Sequence, residues 1–224
     1  MPNLSGDFLE RVWAFREEAL YPSLFGSESR GIFPITVDML VSVFRQETYD
    51  PRWLTCGVFE FAPTATRSSW LYVTSGMSND WDAELLDATT PSGLGVEFIF
   101  ESSTQGDWAI MRLFHLMTFQ ILLCHGRYEG KEPLGVFDRL PLRSSIRPEP
   151  SDLQFLMLAP PSMLPASVQL ESGSFNFVEA VGITEAEAAF GRKHGGDVLL
   201  RCLTAERAFP ITNPARQTVP LHET

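Results

Sequence analysis

The stretch WLYVTSGMS at residues 70–78, followed by PSGLGVEFIF at residues 91–100, decides the fold of this chain. Both stretches are rich in β-branched and aromatic residues, so they predict two strands joined by an acidic loop. Because alternate side chains of a strand point to opposite faces, Val96 and Phe98 should face one side and Glu97 the other. Glycines stand where the backbone must turn or approach a neighbour closely, at Gly76, Gly93 and Gly95.

Two segments before these strands have the periodicity of amphipathic helices. Asp7 can cap a helix from Phe8 to about Leu20, which Pro22 would stop. Its predicted inward face consists of Phe8, Val12, Phe15 and Ala19. A second helix is expected from Thr36, its cap, to about Phe44. The predicted inward face of that helix consists of Val37, Leu40, Val41 and Phe44.

Helix and strand patterns alternate through the rest of the chain. Residues 107–125 are apolar nearly all round, which is typical of a buried helix against which a sheet packs. Thr184 and Glu187 form a capping box that opens a further helix, and Gly195 closes it. Further patterns predict strands at 55–61, 69–74, 153–158 and 175–181, and a short helix at 197–204.

We therefore expect an α+β fold, a mixed β-sheet with helices packed against it. The length of 224 residues fits a single domain over residues 1–224. Residues 210–224 contain three prolines and little periodicity, so they are expected to form an extended tail.

The balance of charges limits the classes of partner. The chain has 28 acidic and 17 basic residues, a formal net charge of −11. Such a surface repels phosphate backbones and anionic lipids, so nucleic acid and membrane are poor candidates, and it favours a basic protein partner. Three widely spaced cysteines and the absence of a visible secretory signal predict a cytoplasmic protein with reduced thiols.

Motifs for catalysis and cofactor binding are missing or incomplete. The sequence has no G-x-S-x-G elbow, and the string at residues 126–132 is one residue too short for a phosphate loop. Gly93 and Gly95 lack the third glycine of a dinucleotide loop. The four histidines show no H-x-x-x-H spacing, and the three cysteines form no C-x-x-C pair. The sequence therefore predicts no metal, no cofactor and no catalytic residue.

Asp80, Trp81, Asp82 and Glu84 form the one acidic cluster of interest. A calcium loop would need a glycine where Leu85 stands. Three interpretations stay open: a solvated loop, a surface that contacts a partner, or a catalytic or metal site. Trp81 between two aspartates has the composition of an interface anchor, although a tryptophan tucked under its own loop is as common.

Several segments resemble the suppressor of fused family, in the same order along the chain. The central pair is similar to the family's W-x-Y-x-[ST]-x-G-[LM]-S and P-S-G-x-G-x-E-[FL]-x-F patterns. In this sequence those patterns are matched by Trp70, Tyr72, Gly76, Gly93, Gly95 and Glu97. Weaker matches are LYP at 20–22, FVEAVGITE at 177–185, GDVLLR at 196–201 and FPITNPAR at 209–216.

This resemblance implies an α+β domain that corresponds to the N-terminal half of the animal protein, which clamps a transcription-factor peptide between two domains. Stand-alone versions resemble bacterial members, many of which are regarded as immunity proteins that neutralise toxins encoded beside them. Tyr72 aligns with a tyrosine near the partner-binding face, and Asp80 or Asp82 occupies the position of an aspartate there. Glu97 matches the family's glutamate, for which a structural role as a buried acid is favoured.

Three hypotheses follow for the function. The first is a non-enzymatic protein-binding domain, an immunity or antitoxin-like inhibitor of a protein encoded nearby, which binds through Tyr72, Asp80, Trp81 and Asp82. The second is a chaperone-like adaptor with several clients. The third is a carboxylate-dependent hydrolase that uses Asp80, Asp82, Glu84 and Glu97.

Overall fold

One mixed β-sheet runs through the part of the chain that the computed structural model describes, residues 4–81, 89–165 and 167–223. The strands of these residues are β1 Glu28–Pro34, β2 Gly57–Phe61, β3 Trp70–Ser75, β4 Pro91–Ser102, β5 Arg139–Pro141, β6 Leu153–Ala159, β7 Val168–Leu170, β8 Gly173–Thr184 and β9 Ile211–Thr212. The sheet order is β1-β2-β3-β4-β8-β6-β5, with β7 beside β8 and β9 beside β4. The β4–β8 and β4–β9 pairs are parallel, and the other pairs are antiparallel.

Helices cover both faces of this sheet. The α-helices are α1 Leu4–Ala14, α2 Tyr21–Phe25, α3 Asp107–Cys124, α4 Glu185–His194 and α5 Gly196–Ala205. Phe98 and Phe100 of β4 point into the core under α3, whereas Ile99 between them points into the core under α1 and α2. Val181 of β8 lies on the same face as Ile99 and packs under α4 and α5. The α+β architecture is as predicted.

The first helix is longer than predicted, and a different set of residues is buried. It begins at Leu4, ahead of Asp7, and passes through a π-helical turn at Phe15–Leu20 into α2. Pro22 does not stop it; the helix ends at Gly26, whose φ is +90°. The predicted Phe15 and Ala19 are exposed, and the buried residues are Phe8, Leu9, Val12, Arg16, Tyr21 and Phe25. The interval of five between Arg16 and Tyr21 is the π-helical turn, whose hydrogen bonds span one residue more than those of an α-helix.

The second helix is also π-helical, at Met39–Val43. Thr36 caps it as predicted, since its hydroxyl accepts a hydrogen bond from Met39 N at 3.2 Å. Met39 and Leu40 are buried, but Val37 and Val41 are 44% and 45% exposed. A prediction based on 3.6 residues per turn therefore placed Val37 and Val41 on the wrong face.

The predicted strands and later helices occur close to their expected bounds, but four strands escaped prediction. β1 has no alternation because both of its faces are largely exposed, and β5 and β7 are only three residues long. β9 falls in the predicted tail and pairs with the end of β4. Among the described residues, α3 has the length and composition of a membrane-spanning helix, and 61% of it is buried inside the protein. A core helix of this kind has the same composition.

Candidate functional site

Glu97 lies in the middle of β4, and its side chain binds the start of the connection between β3 and β4. Its side chain is fully buried and accepts hydrogen bonds from four donor atoms, one at the end of β3 and three in the residues that follow it. Thr74 Oγ1 donates to Glu97 Oε2 at 2.6 Å. Gly76 N, Ser78 N and Ser78 Oγ donate to Oε1 at 3.0, 2.8 and 2.7 Å. The carboxylate therefore holds the first residues after β3 against the middle of β4.

Arg16 supplies the positive charge beside Glu97. It is 1% exposed, and its Nη1 lies 4.0 Å from Glu97 Oε1. The same Nη1 donates to Ser78 Oγ and to Asn79 Oδ1, both at 2.8 Å. Burial opposes the charge of this guanidinium, but nearby Tyr21, Glu97 and Glu17 outweigh it and raise the pKa of Arg16. The first helix is thus tied to the loop by a buried ion.

The glycines of the motif are required by backbone geometry. Gly76 has φ +124°, and a Cβ there would lie 2.7 Å from Cys56 Cα. Gly93 has φ +55°, and a Cβ there would lie 2.4 Å from Asn79 O. Gly95 has φ +67°. These conformations strain any L side chain, so the two ends of the connection pack backbone against backbone.

A groove of about 200 Å³ opens beside this connection, and we call it the acidic-loop groove. It lies between the turn at Pro51–Thr55, the residues after β3 and the end of α3. Its lining includes Trp53, Met77, Asp80, Trp81, Leu94 and His125. Trp53 is nearly buried, with the His125 ring edge-on at 5.0 Å and the Arg127 guanidinium 5.7 Å from its ring.

Asp80 and Trp81 form one side of the acidic-loop groove. Both are partly exposed, and Trp81 packs edge-on against Trp13 of α1 with ring centroids 5.3 Å apart. Trp81 is therefore held by the first helix, which leaves part of its surface available. Asp82 and Glu84 lie outside the described residues.

Two other predicted residues lie away from the surface of this groove. Tyr72 is fully buried in β3, and its hydroxyl accepts a hydrogen bond from Gly106 N at 3.1 Å. In this conformation the Tyr72 side chain is inaccessible from the surface, and its contact with a partner stays a prediction. Trp70 begins β3, pairs with Ser102 and packs against the core under α3. Its position fits the predicted structural role.

The groove offers surface contacts and little reactive chemistry. Burial raises the pKa of the Cys56 thiol to about 12, so this lining residue stays a protonated thiol. Asp50 on the rim is paired with Arg52 at 2.6 Å. Within the described ranges, no three His, Cys, Asp or Glu side chains come together as metal ligands. The acidic-loop groove is therefore lined mainly by apolar side chains, with aromatic and acidic side chains at its edge.

Sequence reasoning missed Arg16, although a signal was present. Arg16 continues the four-residue spacing of Phe8 and Val12, which places a charged side chain on the buried face of the helix. A buried arginine requires an acidic partner, and Glu97 is the acid inside the strand motif. The pair was not identified because the helix and the strand are far apart in the sequence.

Comparison with known proteins gives a family and a fold. The family model described as Suppressor of fused protein (SUFU) matches residues 52–217, which include β2 to β9. No curated protein sequence matches the chain. The three solved structures described next are less than 25% identical to this chain in sequence, so they establish the architecture alone.

Three of these structures illustrate the similarity. The Sufu–Fu complex aligns with a TM-score of 0.65 at 17% identity, over 94% of this chain and 91% of that one. A putative SUFU homologue from Neisseria gonorrhoeae gives 0.55 at 14% identity, over 98% and 96%. Drosophila Suppressor of Fused gives 0.58 at 18% identity over 73% of this chain, which spans 42% of the Drosophila chain. Because the family model covers well over half of the sequence, from the turn before β2 to just beyond β9, this protein belongs to the suppressor of fused family.

Proposed function

We propose that this protein is a non-enzymatic binding domain that masks a protein partner, as an immunity protein masks a toxin encoded beside it. The partner meets the acidic-loop groove at Asp80 and Trp81, with Asp82 next to them in the sequence. Inhibition results from steric occlusion, and the acidic surface accelerates the encounter. The proposed compartment is the cytoplasm.

The observation that carries this proposal is the way the protein holds Asp80 and Trp81 beside an apolar groove. Glu97 and Arg16 fix the preceding residues Ser78 and Asn79 from below. Trp81 presents an aromatic surface at an edge where Asp80 supplies charge. An ordered aromatic residue beside an apolar depression is a common anchor in protein interfaces, and ordering before binding lowers its entropic cost.

Membership of the family supports binding over catalysis. One structure with this fold is that of the Sufu–Fu complex, and this chain covers 91% of the matched chain. The net charge of −11 favours a basic partner. A toxin that acts on nucleic acid would have a basic surface. A toxin encoded beside this protein is therefore the first candidate for the partner.

The test combines co-purification with association kinetics. The product of the adjacent reading frame should co-purify with this protein. Asp80→Lys should then lower the association rate constant about tenfold at low salt and flatten its dependence on salt concentration. Glu206→Lys is the matched control, because Glu206 is exposed at the end of α5 and its replacement changes the net charge equally. Equal effects of the two variants would reject the acidic-loop groove as the binding surface.

Two alternatives remain with their own tests. A chaperone-like adaptor would co-purify with several clients and release them readily, whereas an inhibitor would hold one tight ligand.

A carboxylate-dependent hydrolase would need Glu97 in its acidic set, but Glu97 is buried and its oxygens accept four hydrogen bonds. Calorimetric titration with magnesium, calcium or zinc should show no uptake at millimolar concentrations; uptake lost on replacement of Asp80 would favour the enzyme.

A further inference from the structure

A second depression lies at the other end of α3, and we call it the arginine groove. It has a volume of about 580 Å³ and is open to the surface. Trp108, Met111 and Arg112 of α3 form one wall, and Arg147, Pro148 and Pro150 form the other. From Trp108 to Ile121, which lines the acidic-loop groove, the helix rises about 20 Å. The two grooves are therefore separate surfaces.

Arg112 is a half-buried cation held by neutral acceptors. Its Nε donates to Ile146 O at 2.8 Å, and its Nη2 donates to Ser145 O at 2.6 Å and to Ser144 Oγ at 3.3 Å. Burial lowers the pKa of Arg112. No carboxylate of the described residues forms an ion pair with it, in contrast to Arg16, Arg30 and Arg216. The hydrogen bonds of Arg112 within the described part of the chain come from Nε and Nη2 and none from Nη1, and the residue lines the groove.

The surroundings of Arg112 combine positive charge with exposed apolar surface. Met111 is 40% exposed, and Trp108 is half-buried with its ring edge-on to Phe100 at 5.7 Å. Arg147 lines the opposite wall, and the nearest acid to it is Glu149 at 3.8 Å, which is largely exposed to solvent. Both arginines therefore give this groove a positive charge on a protein in which acids outnumber bases by 28 to 17.

We propose that the arginine groove binds an acidic segment of a partner protein, in which a carboxylate stands next to an apolar side chain. The carboxylate pairs with Nη1 of Arg112, whose other nitrogens are already fixed by Ile146 and Ser145. The apolar neighbour packs on Met111 and Trp108. An open groove with walls from a helix and a proline-bearing loop suits an extended polypeptide better than an enclosed small molecule.

A direct test uses a short fluorescein-labelled peptide in which leucine and glutamate alternate, and a twin in which glutamine replaces glutamate. The glutamate peptide should bind, as followed by fluorescence anisotropy, and should shift the NMR signals of Arg112 Nε and Trp108 Nε1. The glutamine twin should bind about tenfold more weakly. No binding of the glutamate peptide at millimolar concentration, or equal binding of both peptides, would overturn the proposal.

Pairs of variants distinguish specific binding at Arg112 from attraction by the net charge of the protein. Arg112→Gln should weaken the glutamate peptide about tenfold, whereas Arg192→Gln, an equal charge change on the exposed side of α4, should leave affinity within about twofold. Since Arg112 also supports Ile146, a second pair leaves those hydrogen bonds intact. Met111→Gln and Met111→Glu both remove apolar surface, but Met111→Glu should weaken binding several-fold more because its charge repels the carboxylate of the peptide. Equal effects within either pair would reject the site. Asp80→Lys should not change the affinity for the peptide, so this test is independent of the acidic-loop groove.

Discussion

Glu97 and Arg16 are a buried pair of opposite charges that holds the residues directly after β3 in place. Their side chains reach the residues after β3 from a strand and from a helix, and both are almost inaccessible to solvent. Asp80 and Trp81 follow directly after the residues held in this way. The function proposed for those two partly exposed residues therefore depends on two buried residues, Arg16 and Glu97.

We predict that Glu97→Gln lowers the free energy of unfolding by about 2–4 kcal/mol. The glutamine NH₂ group would face a donor of Thr74 or Ser78, so that hydrogen bond would be lost. The substitution also removes the negative charge that lies beside Arg16. Urea denaturation followed by tryptophan fluorescence would measure the change. Glu10→Gln on the exposed face of α1 is the control and should cost less than about 0.5 kcal/mol. A Glu97→Gln protein as stable as that control would show that the carboxylate does not organise the loop.

Glu179 of β8 predicts how stability depends on pH. Burial, and secondarily the charge of Glu101, raise the pKa of Glu179 to about 8, against a hydrogen bond from Ser162 N that lowers it. An unfolded glutamate has a pKa of about 4.3, so between pH 4.3 and 8 the folded state holds a proton that the unfolded state has released. The free energy of unfolding should therefore fall as pH rises through that window, by an amount on the order of a few kcal/mol.

Replacement of the titrating group provides the measurement. Glu179→Gln should flatten the pH profile of the unfolding free energy between about pH 5 and 8 and make the protein more stable than wild type above pH 8. Glu206→Gln, an exposed acid, should leave the profile unchanged. If Glu179→Gln kept the wild-type slope, Glu179 would be ionised in the folded protein and the predicted cause would be wrong.

At the scale of elements, hydrophobic periodicity predicts the buried face of a regular α-helix correctly, but it does not do so where the helix is π-helical. α3 and the capping box of α4 occur as predicted, because each depends on local pattern and local hydrogen bonds. The π-helical turns at Phe15–Leu20 and Met39–Val43 shift the buried face by one residue, and no local signal in the sequence announces them. β1 and β9 depend on pairing with distant strands, and that information is not in their own residues.

The capping box predicts a measurable contribution from one hydroxyl. Thr184 Oγ1 accepts a hydrogen bond from Glu187 N at 3.2 Å, and Glu187 Oε2 accepts one from Thr184 N at 2.9 Å. Thr184→Ala should lower the free energy of unfolding by about 1–2 kcal/mol, measured by urea denaturation. Thr184→Ser keeps the oxygen and should cost less than half as much. Equal losses for both variants would assign the effect to the lost methyl group.

At the scale of the whole molecule, the motif that decided the fold lies at the middle of the sheet. Residues 70–78 and 91–100 supply β3, β4 and the glycines of their connection, so the sheet with helices on it could be predicted. Asp80 and Trp81 lie at the edge of the acidic-loop groove, whereas Tyr72, which was chosen because it aligns with a family tyrosine, is buried in β3. Contact of these residues with a partner stays a prediction. Arg16 and the arginine groove were missed because both depend on contacts between distant segments.

The parallel pairing of β4 with β8 has a consequence for how the chain reaches its native state. Val96 lies opposite Asn176, so this contact closes a loop of about 80 residues that contains α3, β5, β6 and β7. Long-range pairings of this kind slow the folding reaction, because chain entropy is lost before the contact compensates for it. Until then the apolar side of β4 stays uncovered and can associate with other incomplete chains. Rapid synthesis at high temperature should therefore lower the yield of folded protein more than it lowers the stability of chains that have already folded.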